Sequence, residues 1–274
     1  MRQDPIEPGA GGGIARGGRV RRVGMGQMLV VPGAMEENLA RAVAMIESAA
    51  REGCAIVVLP ECLDLGWTSP DAGRLAQPIP GPASDRLAAA AASAGVMVVA
   101  GLTERDGERL FNSAILVGAD GSILARHRKI NELDFAREVY SPGRELRVVE
   151  TPLGIVGVNI CADNAYPALA LGRALAAMGA EILLSPCAWA VPPGFDNAAR
   201  AYGDEWVTAY GALARETGMP VIGVSNVGLV IGGEWDGWSC IGSSLAVGAG
   251  GNVLVQAPFS DNEGMLVAID VALP

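Results

Sequence analysis

In three places a strand-like run ends at a residue with acid–base or nucleophilic chemistry: Glu61 after Cys54–Pro60, Lys129 after Ser122–Arg128, and Cys161 after Ile155–Ile160. The carboxyl ends of strands are where open α/β sheets bind ligands. A cysteine nucleophile needs a base to take its proton and a positive neighbour to favour the thiolate. A carboxylate serves as that base when burial raises its pKa towards neutrality. An ammonium, together with the backbone N–H after the nucleophile (here Ala162), can hold the oxyanion of a tetrahedral intermediate. A helix-period segment begins near Tyr166-Pro167, so Cys161 also lies close to the positive end of a helix dipole. A lone buried strand cysteine is ordinary core. What sets Cys161 apart is its company.

The basic residues sharpen this reading. They comprise 19 arginines and one lysine, Lys129. A chain so biased to arginine marks its single lysine as a place where a broad guanidinium would fail and a compact, buried ammonium is needed. Other catalytic arrangements fare worse. A cysteine–histidine pair would have to use His127, which sits between Arg126 and Arg128 and reads as an ordinary strand residue. There is no Gly-x-Ser-x-Gly elbow, no P-loop and no strand-to-helix Gly-x-Gly-x-x-Gly, and Gly242-Ser243-Ser244 is a commonplace strand start. Five cysteines (Cys54, Cys62, Cys161, Cys187 and Cys240) form no Cys-x-x-Cys pair, and a single histidine leaves no zinc framework. Cys62, one residue past Glu61, should point away from it into the core.

The composition bounds the rest. Half of the 274 residues are hydrophobic, enough for a large core, and the net charge of −10 argues against nucleic acid or an anionic membrane as partner. No apolar run reaches the ~18 residues needed to span a bilayer. The Gly-, Arg- and Pro-rich start lacks the apolar middle of a signal peptide, so residues 1–19 are read as a disordered lead to one domain over 20–274. A reducing, cytoplasmic location fits the cysteine usage.

The elements that must position these residues follow from hydrophobic periodicity. Strands are expected at 19–31, 54–61, 96–103, 111–117 and 122–129, with helices over 36–51 and 83–94 between them. A similar order follows: strands at 146–150, 155–161 and 181–187, helices over 168–178 and 197–217, then strands at 220–230, 243–247, 253–256 and 265–271. Two apolar sheets that each need cover on both faces are satisfied by packing against one another with helices outside. That is an α/β fold of four layers, an α-β-β-α sandwich.

Leu59-Pro60-Glu61, Arg128-Lys129-Ile130 and Asn159-Ile160-Cys161-Ala162-Asp163 with Pro167 resemble the catalytic motifs of the nitrilase (carbon–nitrogen hydrolase) superfamily. The similarity continues through Gly179–Pro186, Ser225–Gly228, Gly242–Ser244 and Gly264–Asp270, about residues 20–272 in all. It implies the same four-layer sandwich, catalytic roles for Glu61, Lys129 and Cys161, a small-molecule amide substrate, no metal or organic cofactor, and assembly into homodimers or larger oligomers. Cys161-Ala162-Asp163, rather than the Cys-Trp-Glu of true nitrilases, resembles the amidase and carbamoyl-amide branches. Asn164 stands where members specific for N-carbamoyl amino acids carry a basic residue, which favours a simpler amide. A second active-site glutamate of many members falls on Ala136; Glu132 is the preferred substitute and Glu138 the alternative. Trp189, Cys187 and Asn164 are expected to line the substrate pocket. The reaction implied is amide hydrolysis through a cysteine thioester. Acyl transfer to an amine, a silent scaffold, and a redox pair of Cys161 with Cys187 are the rival readings. If Lys129 is an oxyanion ligand in a narrow slot, Lys129→Arg should be nearly as damaging as losing the charge. Near-normal turnover by that variant would remove Lys129 from the role.

Overall fold

The computed structural model describes residues 19–274, so the disordered lead expected at the N-terminus falls almost wholly outside the described residues. Fifteen strands are β1 (Arg19–Gln27), β2 (Ile56–Val58), β3 (Met97–Asp106), β4 (Arg109–Val117), β5 (Ile123–Arg128), β6 (Val148–Thr151), β7 (Gly154–Val158), β8 (Ile182–Cys187), β9 (Ala190–Val191), β10 (Val221–Ser225), β11 (Val227–Leu229), β12 (Ser239–Ile241), β13 (Leu245–Val247), β14 (Val253–Gln256) and β15 (Met265–Leu273). The helices are α1 (Met35–Arg51), α2 (Ala72–Leu75), α3 (Pro82–Ala94), α4 (Ala170–Ala177) and α5 (Asp204–Thr217).

Two six-stranded sheets run β15-β1-β2-β3-β4-β5 and β6-β7-β8-β10-β13-β14. Read in that direction, each has an antiparallel edge strand, three mutually parallel strands, and two further antiparallel strands. The repeated element order seen in the sequence is therefore a repeated sheet. Strand alternation builds the layers. Ile56, Val58, Met97 and Val99 face the second sheet, where Val156, Val158, Ile182 and Leu184 belong to the same buried cluster. Val57, Val98 and Ala100 face the other way, onto Leu39, Ala42 and Ile46 of α1 and Leu87 and Ala91 of α3. Helices α4 and α5 cover the outer face of the second sheet, with Leu175, Tyr210 and Leu213 in its core. The fold is the α-β-β-α sandwich.

The elements differ from expectation in four places, each with a local cause. The strand expected over 54–61 is regular only at Ile56–Val58, because Pro60 lacks an amide hydrogen and the chain turns at Glu61. The helix expected over 197–217 begins only at Asp204; Asp196 Oδ1 accepts from Ala198 and Ala199 amides and Gly203 adopts φ 119°, which together hold 197–203 in turns. The strand expected over 220–230 divides at Asn226, its second half leaving for a three-stranded sheet of order β11-β12-β9. That small sheet went unread because its strands are two or three residues long. Among the described residues, no helix is long and apolar enough to cross a membrane.

One close approach sets the position of Glu61. Gly101 donates to Pro60 O at 3.0 Å, and its own carbonyl accepts from Leu63 at 2.9 Å. A Cβ on Gly101 would sit 2.5 Å from Glu61 Cα and 2.6 Å from Pro60 O, contacts that backbone atoms cannot yield cheaply. Gly101→Ala should therefore destabilise the protein by about 1–3 kcal/mol, the usual cost of overpacking, read as a lower urea midpoint. An unchanged midpoint would show that Glu61 is not held by this contact.

Candidate active site

Glu61 follows β2, Lys129 follows β5 and Cys161 follows β7, so both sheets contribute. All three line one cavity of about 380 Å³. Lys129 Nζ donates to Glu61 Oε1 at 2.6 Å, and both side chains are 1% exposed. Asn112 Nδ2 donates to the same oxygen at 2.6 Å. Glu61 Oε2 is buried and has no protein partner. One carboxylate oxygen is thus fully engaged and the other is free to accept a proton. Lys129 also lies 3.6 Å from Glu132 Oε2 and 5.6 Å from the centre of the Trp67 ring. The preferred second glutamate therefore stands against the lysine, while Glu138 is exposed on a short 3-10 turn.

Cys161 occupies the left-handed region at φ 43°, a costly conformation for a residue with a Cβ. A clasp holds it there. Its amide donates to Ser185 Oγ at 3.1 Å. Asp163, two residues on, accepts from the amides of Ile130 (3.1 Å) and Asn131 (2.8 Å) at Oδ1, while its Oδ2 accepts from the Ile160 amide (3.1 Å) and meets His127 Nε2 at 2.9 Å. One buried carboxylate thus ties the cysteine turn to the segment that carries Lys129. His127 takes part as an anchor and does not line the cavity. Ala162 is on the cavity wall at the first position after the nucleophile, in the opening turn where helical amides lack intrahelical acceptors.

The electrostatics follow from burial. Burial works to lower the Lys129 pKa, but Glu132 and Glu61 hold the ammonium well above the usual lysine value. Burial pushes Glu132 up to about 8, with Lys129 opposing, so at neutral pH it is largely a neutral acid. The Cys161 thiol is pushed well above the ordinary thiol range, first by its hydrogen bond with Cys187, then by burial and the Glu61 charge. At neutral pH Cys161 is therefore a thiol, and to act as a nucleophile it would need a base. For Asp163, burial raises and the His127 bond lowers, and the net result lies below the usual carboxylate range.

Three expectations need correction. Cys187, expected on the pocket wall, is fully buried behind it, with its sulfur 3.7 Å from both Ser185 Oγ and Tyr210 Oη. The cause is the pleat: Cys187 still belongs to β8 and pairs with Ser225, and the chain emerges only at Ala188. Asn164, also expected to touch substrate, turns inward and bonds to Asn159 Oδ1 (2.6 Å) and Ser185 Oγ (3.0 Å). Cys62 is core as expected, but not through the strand pleat: it adopts φ 45° and packs with Trp67 and Tyr140. Trp189 does line the cavity, stacked on Trp206 at 5.0 Å. Its backbone is set by a relay: Trp189 N–H donates to Ser225 Oγ, Ser225 N–H to Ser244 Oγ, and Ser244 Oγ to Gln27 Oε1.

Sequence reasoning missed Asn112, Ser185, Trp67, Trp206, Trp235 and Trp238. An asparagine inside an apolar strand, Phe111-Asn112-Ser113, is the one signal that pointed to a buried polar role. Among the described residues, no group of three His, Cys, Asp and Glu side chains is placed to hold a metal ion.

This geometry and fold define a class. Residues 19–273 match the carbon-nitrogen hydrolase family, and the chain belongs to it. It is similar to an omega-amidase of Xenopus tropicalis, 34% identical over 183 residues, which is 63% of this chain and 65% of that protein. The zebrafish omega-amidase is 34% identical over 58% of this chain and 60% of its own length, so these two matches each span less than two thirds of the relative. A nitrilase of Pyrococcus abyssi is 31% identical over 93% of this chain and 90% of that protein. Among solved structures, a carbon-nitrogen hydrolase from Helicobacter pylori superposes with a TM-score of 0.81 at 23% identity, covering 92% of this chain and 89% of that one. An amidase from Nesterenkonia sp. gives 0.78 at 24% identity, covering 95% and 93%.

Two measurements follow from the site's titration. Glu132 has a folded pKa near 8 against about 4.3 unfolded. Folding therefore favours its protonated form, and that stability is lost as pH rises from about 4.3 through 8. The urea midpoint of the wild type should fall between pH 5 and pH 8, and Glu132→Gln should flatten part of that fall. An identical slope in the variant would contradict the raised pKa. Because Cys187 is the first cause holding the Cys161 thiol up, Cys187→Ala should shift the pH profile of Cys161 alkylation to lower pH. A profile left in place would show that the two thiols do not interact.

Proposed function

We propose that the protein is a thiol amidohydrolase with a Glu61–Lys129–Cys161 triad. The observation that carries the reading is the unpartnered, buried Glu61 Oε2 in the cavity that also receives the Cys161 thiol, while the other oxygen is tied to Lys129 and Asn112. Glu61 accepts the proton of Cys161 as sulfur attacks the amide carbonyl. The Lys129 ammonium and the Ala162 N–H stabilise the developing oxyanion. Protonated Glu61 then delivers its proton to the departing nitrogen, which leaves as ammonia or an amine, and Cys161 carries the acyl group as a thioester. Glu61 next takes a proton from water, hydroxide adds to the thioester, and the acid leaves as the thiol is restored. Glu132, 3.6 Å from the ammonium, holds Lys129 in place; it is a positioning residue in this scheme.

The relatives named omega-amidase and nitrilase support carbon–nitrogen chemistry. Cys161-Ala162-Asp163 at the nucleophile turn favours the amidase branch, and the inward turn of Asn164 leaves an N-carbamoyl amino acid without the cation it would need beside the nucleophile. A cytoplasmic homo-oligomer remains part of the reading. Ammonia release from a panel of primary amides tests it. Cys161→Ala should lose at least about a thousandfold in kcat while keeping its thermal midpoint, and Cys187→Ala should remain active. Ammonia release that survives in Cys161→Ala would overturn the proposal.

A further inference from the structure

The chain contains five tryptophans, and all five, Trp67, Trp189, Trp206, Trp235 and Trp238, line the same cavity as the triad. They form two walls. Trp67 packs edge-on to Trp235 at 5.3 Å, and Trp235 stacks on Trp238 at 4.5 Å with 3° between the planes. A second aromatic group on the same cavity is Trp189, stacked on Trp206 at 5.0 Å. Leu133, Tyr202 and the small side chains of Ala165, Ala188 and Ala190 complete the apolar surface. The charged residues on the wall are Glu61, Lys129 and Glu205. Lys129 is already paired with Glu61 and flanked by Glu132, so it offers no free charge to a substrate carboxylate. Glu205 would repel one. Another cation, Arg200, lines an adjoining cavity of about 180 Å³ together with Asp204 and Glu205. Burying a carboxylate among aromatic rings without a counter-charge is costly. A flat apolar group placed between such rings gains burial and offset or edge contacts instead. Two further polar atoms fit a neutral ligand: the buried indole N–H groups of Trp67 and Trp189 have no protein acceptor, whereas that of Trp206 donates to Tyr202 Oη at 2.9 Å.

We infer that the acyl side of the substrate is an uncharged aromatic group, so that the enzyme takes aryl or arylalkyl carboxamides in preference to amides that carry a free carboxylate. This rests on the amidase reading above for turnover, but binding tests it separately. Because every tryptophan lies on the cavity wall, intrinsic fluorescence reports occupancy directly. On Cys161→Ala, which cannot form a thioester, 2-phenylacetamide should change tryptophan emission and bind at least roughly tenfold more tightly than succinamate. In the wild type, kcat/KM should rank 2-phenylacetamide above both acetamide and succinamate by a similar factor, and Trp235→Ala should bring the phenylacetamide-to-acetamide ratio towards one. Succinamate binding as tightly as phenylacetamide would overturn the inference, and loss of that binding in Arg200→Ala would identify the cation responsible. Acetamide turned over as well as phenylacetamide, with an unchanged ratio in Trp235→Ala, would also overturn it while leaving the amidase reading intact. Phenylacetamide bound to the cavity without ammonia release from any amide would sink the amidase reading and sustain the aromatic one.

Discussion

The structure turns on a buried ion pair. Lys129 and Glu61 meet at 2.6 Å with almost no solvent on either side chain. Taking two charges out of water costs several kcal/mol each before their attraction repays it, so such a pair needs supporting bonds and is weak evidence of stability for its own sake. The supports are all visible. Asn112 shares the Glu61 oxygen, Glu132 stands against the ammonium, and the Trp67 ring faces it. Even so, Glu61 Oε2 and both Glu132 oxygens are left without hydrogen bonds. A fold that spends this much desolvation and still leaves acceptors open in a cavity is holding them for something that enters it.

That requirement reaches outward into both sheets. The two halves are copies in topology, yet only dissimilar strand ends converge: one from β2, one from β5, one from β7. Their alignment depends on the packing between the sheets and on the Asp163 clasp, which joins the cysteine turn to Ile130 and Asn131. Backbone strain collects in the same region. Of the four non-glycine residues with positive φ among the described residues, Cys161 lines the cavity, and Cys62 and Thr68 adjoin Glu61 and Trp67. Residues in such conformations persist where the surroundings over-determine them, commonly at active sites.

The meeting of Glu61, Lys129 and Cys161 in one cavity was legible because each ends a strand-like run, and because one lysine beside nineteen arginines is conspicuous. The layers were legible because the unbroken apolar runs of β2 and β3 mark strands buried on both faces, and the helical spacing of Leu39, Val43 and Ile46 is a strong periodic signal. What the sequence concealed was contact between distant segments. Asn112 supports Glu61 from β4, two strands along the sheet from β2 and 51 residues away in sequence. The tryptophans at 67, 189, 206, 235 and 238 share no local pattern, and they reach one cavity from the segment after β2, the β8–β9 link, the start of α5 and the β11–β12 connection. Cys187 was misplaced because a strand end says that a residue is near the sheet's rim, and one more step of pleat decides which side it faces; Asn164 was misplaced because the tight turn after Cys161 directs its side chain inward, onto Asn159 and Ser185.

The central claim is that Glu61 exchanges protons with Cys161 and with water, so its loss should strand the acyl group on sulfur. Intact-protein mass spectrometry of Glu61→Gln incubated with a primary amide measures this directly. The account predicts an added mass equal to the acyl group, located on Cys161 and removed by hydroxylamine. An unmodified protein, or an adduct on a different cysteine, would contradict it.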